Sequence, residues 1–551
     1  MAELIFDTSS TDDEFEGFTP DDVIKANQKE SELRQLNEDE LSDISFDDLA
    51  ENECENDDCD SESNDGKDEI WKDTLSAIQT PAFTQRTGPT TVMNAEKNEL
   101  DFVSLIFIPE ILSILVAQTN LYAMQLQQKL GHQDKQWSAT TLDEIRAYLG
   151  IRIFMSVLQL PAMEMYWSTD YMLGNLFVPN IMPRDRFNKL CQYFHANDST
   201  TNPGRGEPGH DRLHHVRPLI DIVNERCLKQ YNPHQNTCVD EAMIAFRGRL
   251  GFRQYLPAKP TKYGIKVKIR ADSENGYCNE FEIYTGKSGD HVNAKLGLTT
   301  RVVLNLTKKI ENKNHIVNID NYFTSFDLYK MLIERQTYAR GTARSNRKNL
   351  PSTILHPKCV KNQGEKKIVQ RGQITAYAWK DKKVIYFLSS ADDPTLDGLQ
   401  VQRRQKDGTQ RMVASPAVVQ NYNLKMNGVD KADQTRTEYP TYCMCKRWWT
   451  YVFYFLLDLS VANAFILMKE SPDHKLKTSM GKSKERTLLN FRMNLAKQMI
   501  GQFQITRKRK RISNIDPNEV GHWPIENEKR GRCKNCFGNK IRKDVKTYHS
   551  Q

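Results

Sequence analysis

The feature that most constrains the fold is a change of hydrophobic period near residue 236. Before it, segments such as "LDEIRAYLGIRIFMSVLQL" space their apolar residues by three and four, as amphipathic helices do. After it, "TCVDEAMIAF", "YGIKVKIRAD" and "NEFEIYTG" alternate like strands between turn residues. Two helix–strand pairs follow, whose strands are "HIVNID" and "TYARGTAR". Three strands followed by alternating helices and strands predict an α/β fold with a mixed sheet flanked by helices.

Charge is divided unevenly along the chain. Residues 1–70 contain 26 Asp or Glu against 4 Lys or Arg, a net charge of −22, whereas the rest of the chain carries a net +28. We predict that residues 1–97 form an acidic disordered tail, because they contain few apolar clusters. A basic body favours a polyanionic partner, and a soluble basic protein without one is the alternative.

Cysteine usage and hydropathy bear on the class of protein. The eleven cysteines are mostly scattered, and the acidic start lacks the basic region of a signal peptide, so we expect reduced thiols inside a cell. The apolar run "FVSLIFIPEILSILV" is too short to span a bilayer, and Pro109 interrupts it. The longer run after "KR" at 446–447 is punctuated by charges and predicts a core helix, so no membrane partner is expected.

Three distant aspartates are candidate metal ligands. Asp240 ends the strand-like "TCVD", Asp320 ends "HIVNID", and Asp430 begins a helix in "MNGVDKADQ", where Asp433 follows one turn later. Carboxylates at the ends of buried strands can hold Mg²⁺ or Mn²⁺, and two ions about 3.5–4 Å apart serve phosphoryl transfer. Taken singly, each aspartate is better explained as a turn or cap residue, and the metal-site interpretation depends on the three taken jointly.

Basic and aromatic residues cluster beside Asp240. Cations fit phosphates and exposed aromatic rings stack on bases, so the cluster favours DNA as the partner. The alternative is a solvated hairpin whose aromatics belong to the core. The candidate DNA-binding residues are Arg247, Arg249, Arg253, Lys259, Lys262 and Lys266.

Several motifs together resemble the piggyBac-type transposases and the host proteins derived from them. These motifs are "VDEAMIAFRGRL", "YLPAKPTKYGIKV", "NIDNYFTSFDLYKML", "GTARSNRKNLP" and "YNLKMNGVDKADQ" followed by "KRWW", in collinear order. The resemblance covers the chain from about residue 98 onward.

The resemblance implies an RNase H-like catalytic core interrupted by a β-rich insertion, with an all-α dimerisation and DNA-binding domain built from segments on both sides. The expected ranges are 98–235 and 441–505 for the helical domain, 236–345 and 417–440 for the catalytic domain, and 346–416 for the insertion. A basic tail, 506–551, follows.

The resemblance also implies a function. It assigns catalytic roles to Asp240, Asp320, Asp430 and Asp433, with Mg²⁺ or Mn²⁺ at the first three. It implies a homodimer that acts on transposon ends and TTAA target DNA: water frees a 3′-hydroxyl, that hydroxyl forms a hairpin, and the reopened end attacks the target. A domesticated DNA- or chromatin-binding protein without strand transfer is the alternative, and an unrelated metallonuclease is disfavoured by the number of matching motifs.

Two departures from the family pattern concern "MNGVD" and the C-terminal tail. Many members have Gly where Asn427 stands, and we expect Asn to tolerate the unusual backbone angles there. The family's Cys-rich zinc domain is reduced to Cys533 and Cys536, with His549 as a third candidate ligand. This set does not complete a four-ligand site, so we expect Zn²⁺ to bind weakly, through a partner subunit, or not at all. "RKRKR" (507–511) predicts nuclear localisation.

Overall fold

The computed structural model describes residues 70–505 and the two strands Trp523–Arg532 and Asp544–Ser550. Within 70–505 the gaps are 169, 171, 173–176, 205, 258, 260, 287–295, 357, 397, 405–407, 442–444, 478–482 and 485. One compact unit ends at Phe503, and the remaining residues form a second unit.

The helices precede, interrupt and follow the strands of one large sheet. The helices are α1 (Glu99–Val103), α2 (Pro109–Leu130), α3 (Leu142–Val157), α4 (Phe177–Ile181), α5 (Arg184–Tyr193), α6 (Arg217–Gln230), α7 (Leu298–Thr307), α8 (Phe326–Glu334), α9 (Ser352–Leu355), α10 (Ala417–Lys425), α11 (Gly428–Thr437), α12 (Trp448–Glu470) and α13 (Leu488–Ile500). The strands are β1 (Gly88–Pro89), β2 (Tyr231–Asn232), β3 (Asn236–Ala245), β4 (Gln254–Tyr255), β5 (Tyr263–Asp272), β6 (Cys278–Ile283), β7 (Ile316–Ile319), β8 (Tyr338–Ala343), β9 (Lys366–Arg371), β10 (Ile374–Lys380), β11 (Val384–Ser389), β12 (Leu399–Arg404), β13 (Gln410–Ser415), β14 (Leu476–Lys477), β15 (Ser483–Lys484), β16 (Trp523–Arg532) and β17 (Asp544–Ser550).

The predicted mixed sheet is present. Its strand order is β4-β5-β3-β7-β8-β11-β10-β9, and β6 also pairs with β5. Strand β3 runs antiparallel to β5 but parallel to β7, and β7 runs parallel to β8. The parallel strands are joined through α7 and α8, because a parallel crossover needs an intervening helix.

The region expected as an insertion (346–416) contributes to the same sheet. Strand β11 pairs with β8, β10 with β11, and β9 with β10, so these three strands extend the main sheet. Strands β12 and β13 form a separate two-stranded sheet from the same region.

The two faces of the sheet carry different helices. Helices α7, α8 and α9 bury one face, with residues such as Val303, Leu328 and Ile354 in a single core cluster. Helix α10 packs on β10, β11 and β13 through Val418, Val419 and Tyr422. Helix α11 contacts β3 and β5 and leads into α12.

Helix α12 is the core of the helical part. Among the described helices, only α12 is long and apolar enough to cross a membrane. However, 89% of its most apolar 18-residue window is buried inside the protein. It packs against α1, α6 and α11. The burial matches the prediction of a core helix.

The prediction of disorder is wrong for residues 70–97. Residues 70–91, here called the N-terminal strap, are held by backbone pairing: Lys72 pairs with Gln370 of β9 in the main sheet, and Gly88 and Pro89 pair with β2 in a separate two-stranded sheet. The rings of Trp71 and Phe326 meet edge to face at 5.5 Å. The mostly polar composition of the region suggested disorder, but a few widely spaced apolar residues fix it to the rest of the protein.

Candidate active site

Strands β3 and β7 bring two of the three aspartates side by side. Their parallel pairing ends at Val239 and Ile319, and the next residues are Asp240 and Asp320. Asp320 directly follows β7, as the sequence predicts. The placement of Asp240 at a strand end is wrong, because β3 continues to Ala245. The parallel pairing of β3 with β7 ends just before Asp240. Both aspartates therefore lie at the same end of the β3–β7 pairing.

A tight turn fixes Asp320. Its carboxylate accepts a hydrogen bond from the backbone N–H of Tyr322 at 3.0 Å, and its carbonyl accepts from the hydroxyl of Thr324 at 2.8 Å. Ser325 then caps α8 by accepting from the N–H of Leu328. Asparagine and aspartate side chains favour such turns because they bond to the backbone two residues on.

Helix α11 supplies the other two aspartates. Asp430 lies in its first turn, on the helix that packs against β3. Asp433 instead accepts hydrogen bonds from Arg436, whose Nη2 is 2.9 Å from its Oδ1. Arg436 is buried and lies over the ring of Phe455 in α12. Arg436 therefore links Asp433 to α12, whereas the charge that most affects Asp430 is that of Asp240 in β3.

The start of α11 is set by close packing and not by unusual backbone angles. Asn427 has a φ of −79°, which any residue adopts, so the expectation of a special conformation there is wrong. A Cβ on the following Gly428 would lie 2.9 Å from the carbonyl oxygen of Asp272 and 3.1 Å from the Cβ of Cys238. Glycine at 428 is what lets the helix approach β3 and β5.

The three carboxylates share one electrostatic environment. Burial, followed by the charges of Asp240 and Glu241, raises the pKa of Asp320 to about 7. Desolvation and the charge of Asp240 also raise the pKa of Asp430, whose side chain is nevertheless exposed at the surface. The register of β3 and β7, the packing of α11 on β3 and these charge effects together place Asp240, Asp320 and Asp430 in one region, here called the acidic cluster.

Lys259 lies among these carboxylates. Its Nζ is 3.8 Å from Oδ2 of Asp240 and donates to the carbonyl oxygen of Glu241 at 3.3 Å. The charges of Asp240, Asp430, Glu241 and Asp320 together raise its pKa, with Asp240 the largest cause. The sequence placed Lys259 with the DNA-binding residues, but its ammonium faces the acidic cluster.

The cluster fits a hard divalent cation by its chemistry. Mg²⁺ takes carboxylate oxygens and commonly uses one or two of them with several waters. In the part of the chain that the structure describes, no three His, Cys, Asp or Glu side chains are grouped closely enough to hold a metal ion as they stand. Binding therefore requires the carboxylates to adjust toward the ion.

Two residues beside the cluster were not assigned to it from the sequence. Glu241 pairs with Lys266 at 2.5 Å, and the Lys266 ammonium lies 4.8 Å from the centre of the Tyr322 ring. Lys266 is only 5% exposed, so the prediction that it contacts DNA phosphates is not supported. Its charge is neutralised inside the protein and steadies the turn after Asp320. The "DE" pair in "VDEA" was the available signal for Glu241.

The other predicted DNA-binding residues lie at the surface. Arg247, Arg249, Arg253 and Lys262 are exposed. Arg253 closes the turn after β3 by donating to the carbonyl oxygens of Arg247 and Gly248, at 2.9 Å each. The exposed rings of Tyr255 and Tyr263 lie 4.6 Å apart beside it. The phosphate-binding role of these four cations stays a prediction.

Two predicted features lie outside the described residues. These are the candidate zinc ligands Cys533 and Cys536 and the basic run 507–511. The zinc and nuclear-localisation expectations therefore stay predictions.

Comparison with known proteins decides the family. The family described as "Transposase IS4" matches residues 98–465, which include all four aspartates. The chain belongs to this transposase family.

The relatives of this transposase-family chain are of the piggyBac type. The human "PiggyBac transposable element-derived protein 3" is 26% identical over 486 residues, covering 85% of this chain and 77% of the relative. The human "PiggyBac transposable element-derived protein 5" is 25% identical, covering 74% and 78%. A solved piggyBac transposase synaptic complex with hairpin DNA gives a TM-score of 0.66 at 28% identity, covering 81% of this chain and 90% of the other.

Proposed function

We propose that the protein is a metal-dependent DNA transposase that performs cut-and-paste phosphoryl transfer. The observation that carries the proposal is the single acidic cluster of Asp240, Asp320 and Asp430, contributed by β3, β7 and α11. The similar piggyBac transposase structure contains hairpin DNA in a synaptic complex, which supports DNA as the substrate.

The strand order supports an RNase H-like core. In the order β6-β5-β3-β7-β8, β5 runs antiparallel to both of its neighbours β6 and β3, and β7 and β8 run parallel to β3. The aspartates follow the parallel pairing of the two central strands, at the edge where ligands of α/β sheets commonly bind.

In this function each residue has a distinct part. Asp240, Asp320 and Asp430 hold divalent cations, which when bound activate the attacking oxygen and stabilise the leaving oxygen. Arg247, Arg249, Arg253 and Lys262 hold the DNA backbone beside the cluster by pairing with phosphates. Asp433 acts at a distance from the reacting phosphate: through Arg436 and Phe455 it fixes α11 to α12 and so positions Asp430.

The reaction consists of successive in-line displacements at phosphorus. Water attacks first and releases a 3′-hydroxyl, which then attacks the opposite strand and closes a hairpin. After the hairpin is reopened, the free 3′-hydroxyl attacks target DNA at TTAA. The two transesterifications each exchange one P–O bond for another, so those steps need no energy cofactor. Homodimerisation and a nuclear location are parts of the same proposal.

The test uses purified protein, Mg²⁺ or Mn²⁺, and DNA duplexes that carry the sequences flanking the coding region. Wild type is expected to nick the duplex at the element end, and Asp240→Asn, Asp320→Asn and Asp430→Asn to lose nicking while still binding the DNA. Asp143→Asn is the matched control, because Asp143 is an exposed residue of α3. Retention of nicking in the three cluster variants would contradict the proposal. Equal binding with no nicking by wild type would favour a domesticated DNA-binding protein instead.

A further inference from the structure

Lys259 is a cation built into the acidic cluster. It belongs to the loop between β4 and β5, and the sequence places it directly before Pro260, which restricts the backbone of the preceding residue. Its ammonium lies 3.8 Å from the Asp240 carboxylate and donates to the carbonyl oxygen of Glu241. The loop thus places one positive charge beside the acidic cluster formed by β3, β7 and α11.

Two other cations near the cluster form ion pairs with other carboxylates. Lys266 pairs with Glu241, and Arg436 pairs with Asp433. Lys259 is left facing Asp240, with Asp430 and Asp320 also within reach of its charge. Carboxylates crowded into a partly buried site repel one another, and a nearby ammonium offsets that repulsion.

The ion pair between Lys259 and Asp240 can be broken easily, so that another cation can take the place of the Lys259 ammonium. At 3.8 Å the two atoms form an ion pair without a short hydrogen bond, and 34% of the Lys259 side chain is exposed. A lysine ammonium is a point charge on a flexible stem, so it can leave one partner without moving the backbone. The pairs of Lys266 and Arg436 are shorter and more buried, and lack this freedom.

We propose that Lys259 is the resident counter-ion of the acidic cluster, which holds Asp240, Asp320 and Asp430 together before metal binds and gives up that place to the incoming divalent cation. The proposal rests on the proposed function only in taking the cluster as a divalent-metal site. Lys259 is then a positioning residue, whose effect shows in the metal-free protein and in metal affinity.

The first experiment compares Lys259→Met with wild type in two measurements that need no DNA. Without metal, in EDTA, the midpoint of thermal unfolding is expected to fall by about 2 °C or more, since crowded carboxylates lose their counter-ion. The affinity for Mn²⁺, measured by calorimetry, is expected to rise roughly tenfold because the ion no longer displaces a cation. Lys262→Met is the matched control, an exposed lysine of the same loop, and is expected to change neither quantity.

A double-mutant cycle separates this role from a merely structural one. In the Asp240→Asn background, Lys259→Met is expected to lower the unfolding midpoint much less than in wild type, because the partner charge is already gone. Lys259→Arg keeps the positive charge and is expected to retain most of the stability measured without metal. This variant also allows the test to proceed if Lys259→Met does not fold.

Three outcomes decide the matter. Mn²⁺ binding that is the same in wild type and Lys259→Met would overturn the counter-ion role while leaving the proposed transposase function standing. Additive effects in the cycle would overturn it too. Failure of wild type itself to bind Mn²⁺ would contradict the metal-dependent function, and with it the exchange.

Discussion

Individual residues set the geometry of the acidic cluster, and Gly428 is the most sensitive of them. Its Cα faces the backbone of β5 and the side chain of Cys238 with no room for a Cβ. Gly276, at a φ of +78° in the turn after β5, likewise leaves no room for a Cβ beside Lys431 and Ala432 of α11. The helix carrying Asp430 therefore packs on the end of β5 and the turn after it through contacts that allow little adjustment.

We expect Gly428→Ala to displace α11 and lower DNA nicking. A Cβ 2.9 Å from a backbone carbonyl forces a shift of a few tenths of an ångström, and misplacement of a reacting group by about 1 Å costs roughly 10²-fold in rate. Overpacking should also cost about 1–3 kcal/mol of stability. Nicking rates and urea unfolding measure the two effects.

The control for this substitution is Gly297→Ala. A Cβ on Gly297 would meet no atom within 4 Å, so nicking and stability should stay near wild type. Equal nicking by the two alanine variants would mean that close packing at 428 does not position Asp430.

His315 gives the stability a pH dependence of known sign. Burial lowers the pKa of His315 to about 4, while its ring contacts the carbonyl oxygen of His234 and the ring of Phe83. The unfolded chain takes up a proton near pH 6.5, so the contribution of His315 is complete above that pH and is lost as pH falls toward about 4. His315→Asn should flatten this part of the stability curve.

Thermal unfolding at several pH values between 4 and 7 checks the prediction. His132→Asn is the control, since His132 is exposed. A His315→Asn curve parallel to that of wild type over this interval would show that His315 does not contribute.

At this scale the sequence predicts the aspartates better than their surroundings. Asp320 is recognisable because an apolar strand ends at a turn, and Asp430 because it opens a helix. The sequence groups Lys259 with the DNA-binding residues, because spacing does not reveal which way a loop folds back. The sequence does not assign Glu241 to the site, because alternation along a strand places neighbouring residues on opposite faces of the sheet.

At the scale of elements, the N-terminal strap adds contacts to the main sheet. It pairs with β9 through Lys72, contacts α8 through Trp71, and reaches the start of β7, where Asn314 donates to the carbonyl oxygen of Ala82. The strap thus touches the elements on both sides of the turn that carries Asp320.

We expect Trp71→Ala to loosen the strap. The indole N–H donates to the carbonyl oxygen of Asn349 at 3.2 Å, and its ring packs on Phe326, so truncation should cost about 2 kcal/mol of stability. Limited proteolysis should then cleave near residues 70–91 faster than in wild type. Ile70→Ala, at a position that is 77% exposed, is the control and should change neither measurement.

The strands and helices of the sheet were predictable because their periods are regular. The strap was not, because its three apolar anchors Trp71, Ile78 and Phe83 are separated by polar residues and have no period. The pairing of β11 with β8, which adds β9–β11 to the main sheet, was also not predictable. Local pattern shows that a segment forms strands but does not show which edge of a sheet they extend.

At the scale of the whole molecule, two segments far apart in the chain form one helical part. Arg492 of α13 donates to Asp458 of α12 at 2.8 Å and to the hydroxyls of Ser156 and Thr441 at 3.1 Å each. The backbone N–H of Thr441 completes the group by donating to Asp458. This buried network joins α3, before the sheet, to α12 and α13, after it.

Asp458→Ala should therefore be strongly destabilising. It leaves the fully buried Arg492 without its charge partner, and breaking such a pair typically costs about 3–5 kcal/mol. Asp143→Ala is the control, because the Asp143–Arg146 pair is exposed and should be worth under about 1 kcal/mol. Denaturant unfolding of both variants is the measurement, and equal losses would contradict the role of the network.

The position of α11 in the chain has a consequence for synthesis. Asp240 and Asp320 precede the strands β8–β11, and Asp430 follows them, although all three belong to the acidic cluster. A ribosome that has made the first two aspartates must add more than a hundred further residues before the third emerges. Until then the nascent chain carries an incomplete acidic cluster, so under the proposed function DNA cutting can begin only after every strand of the main sheet has been translated.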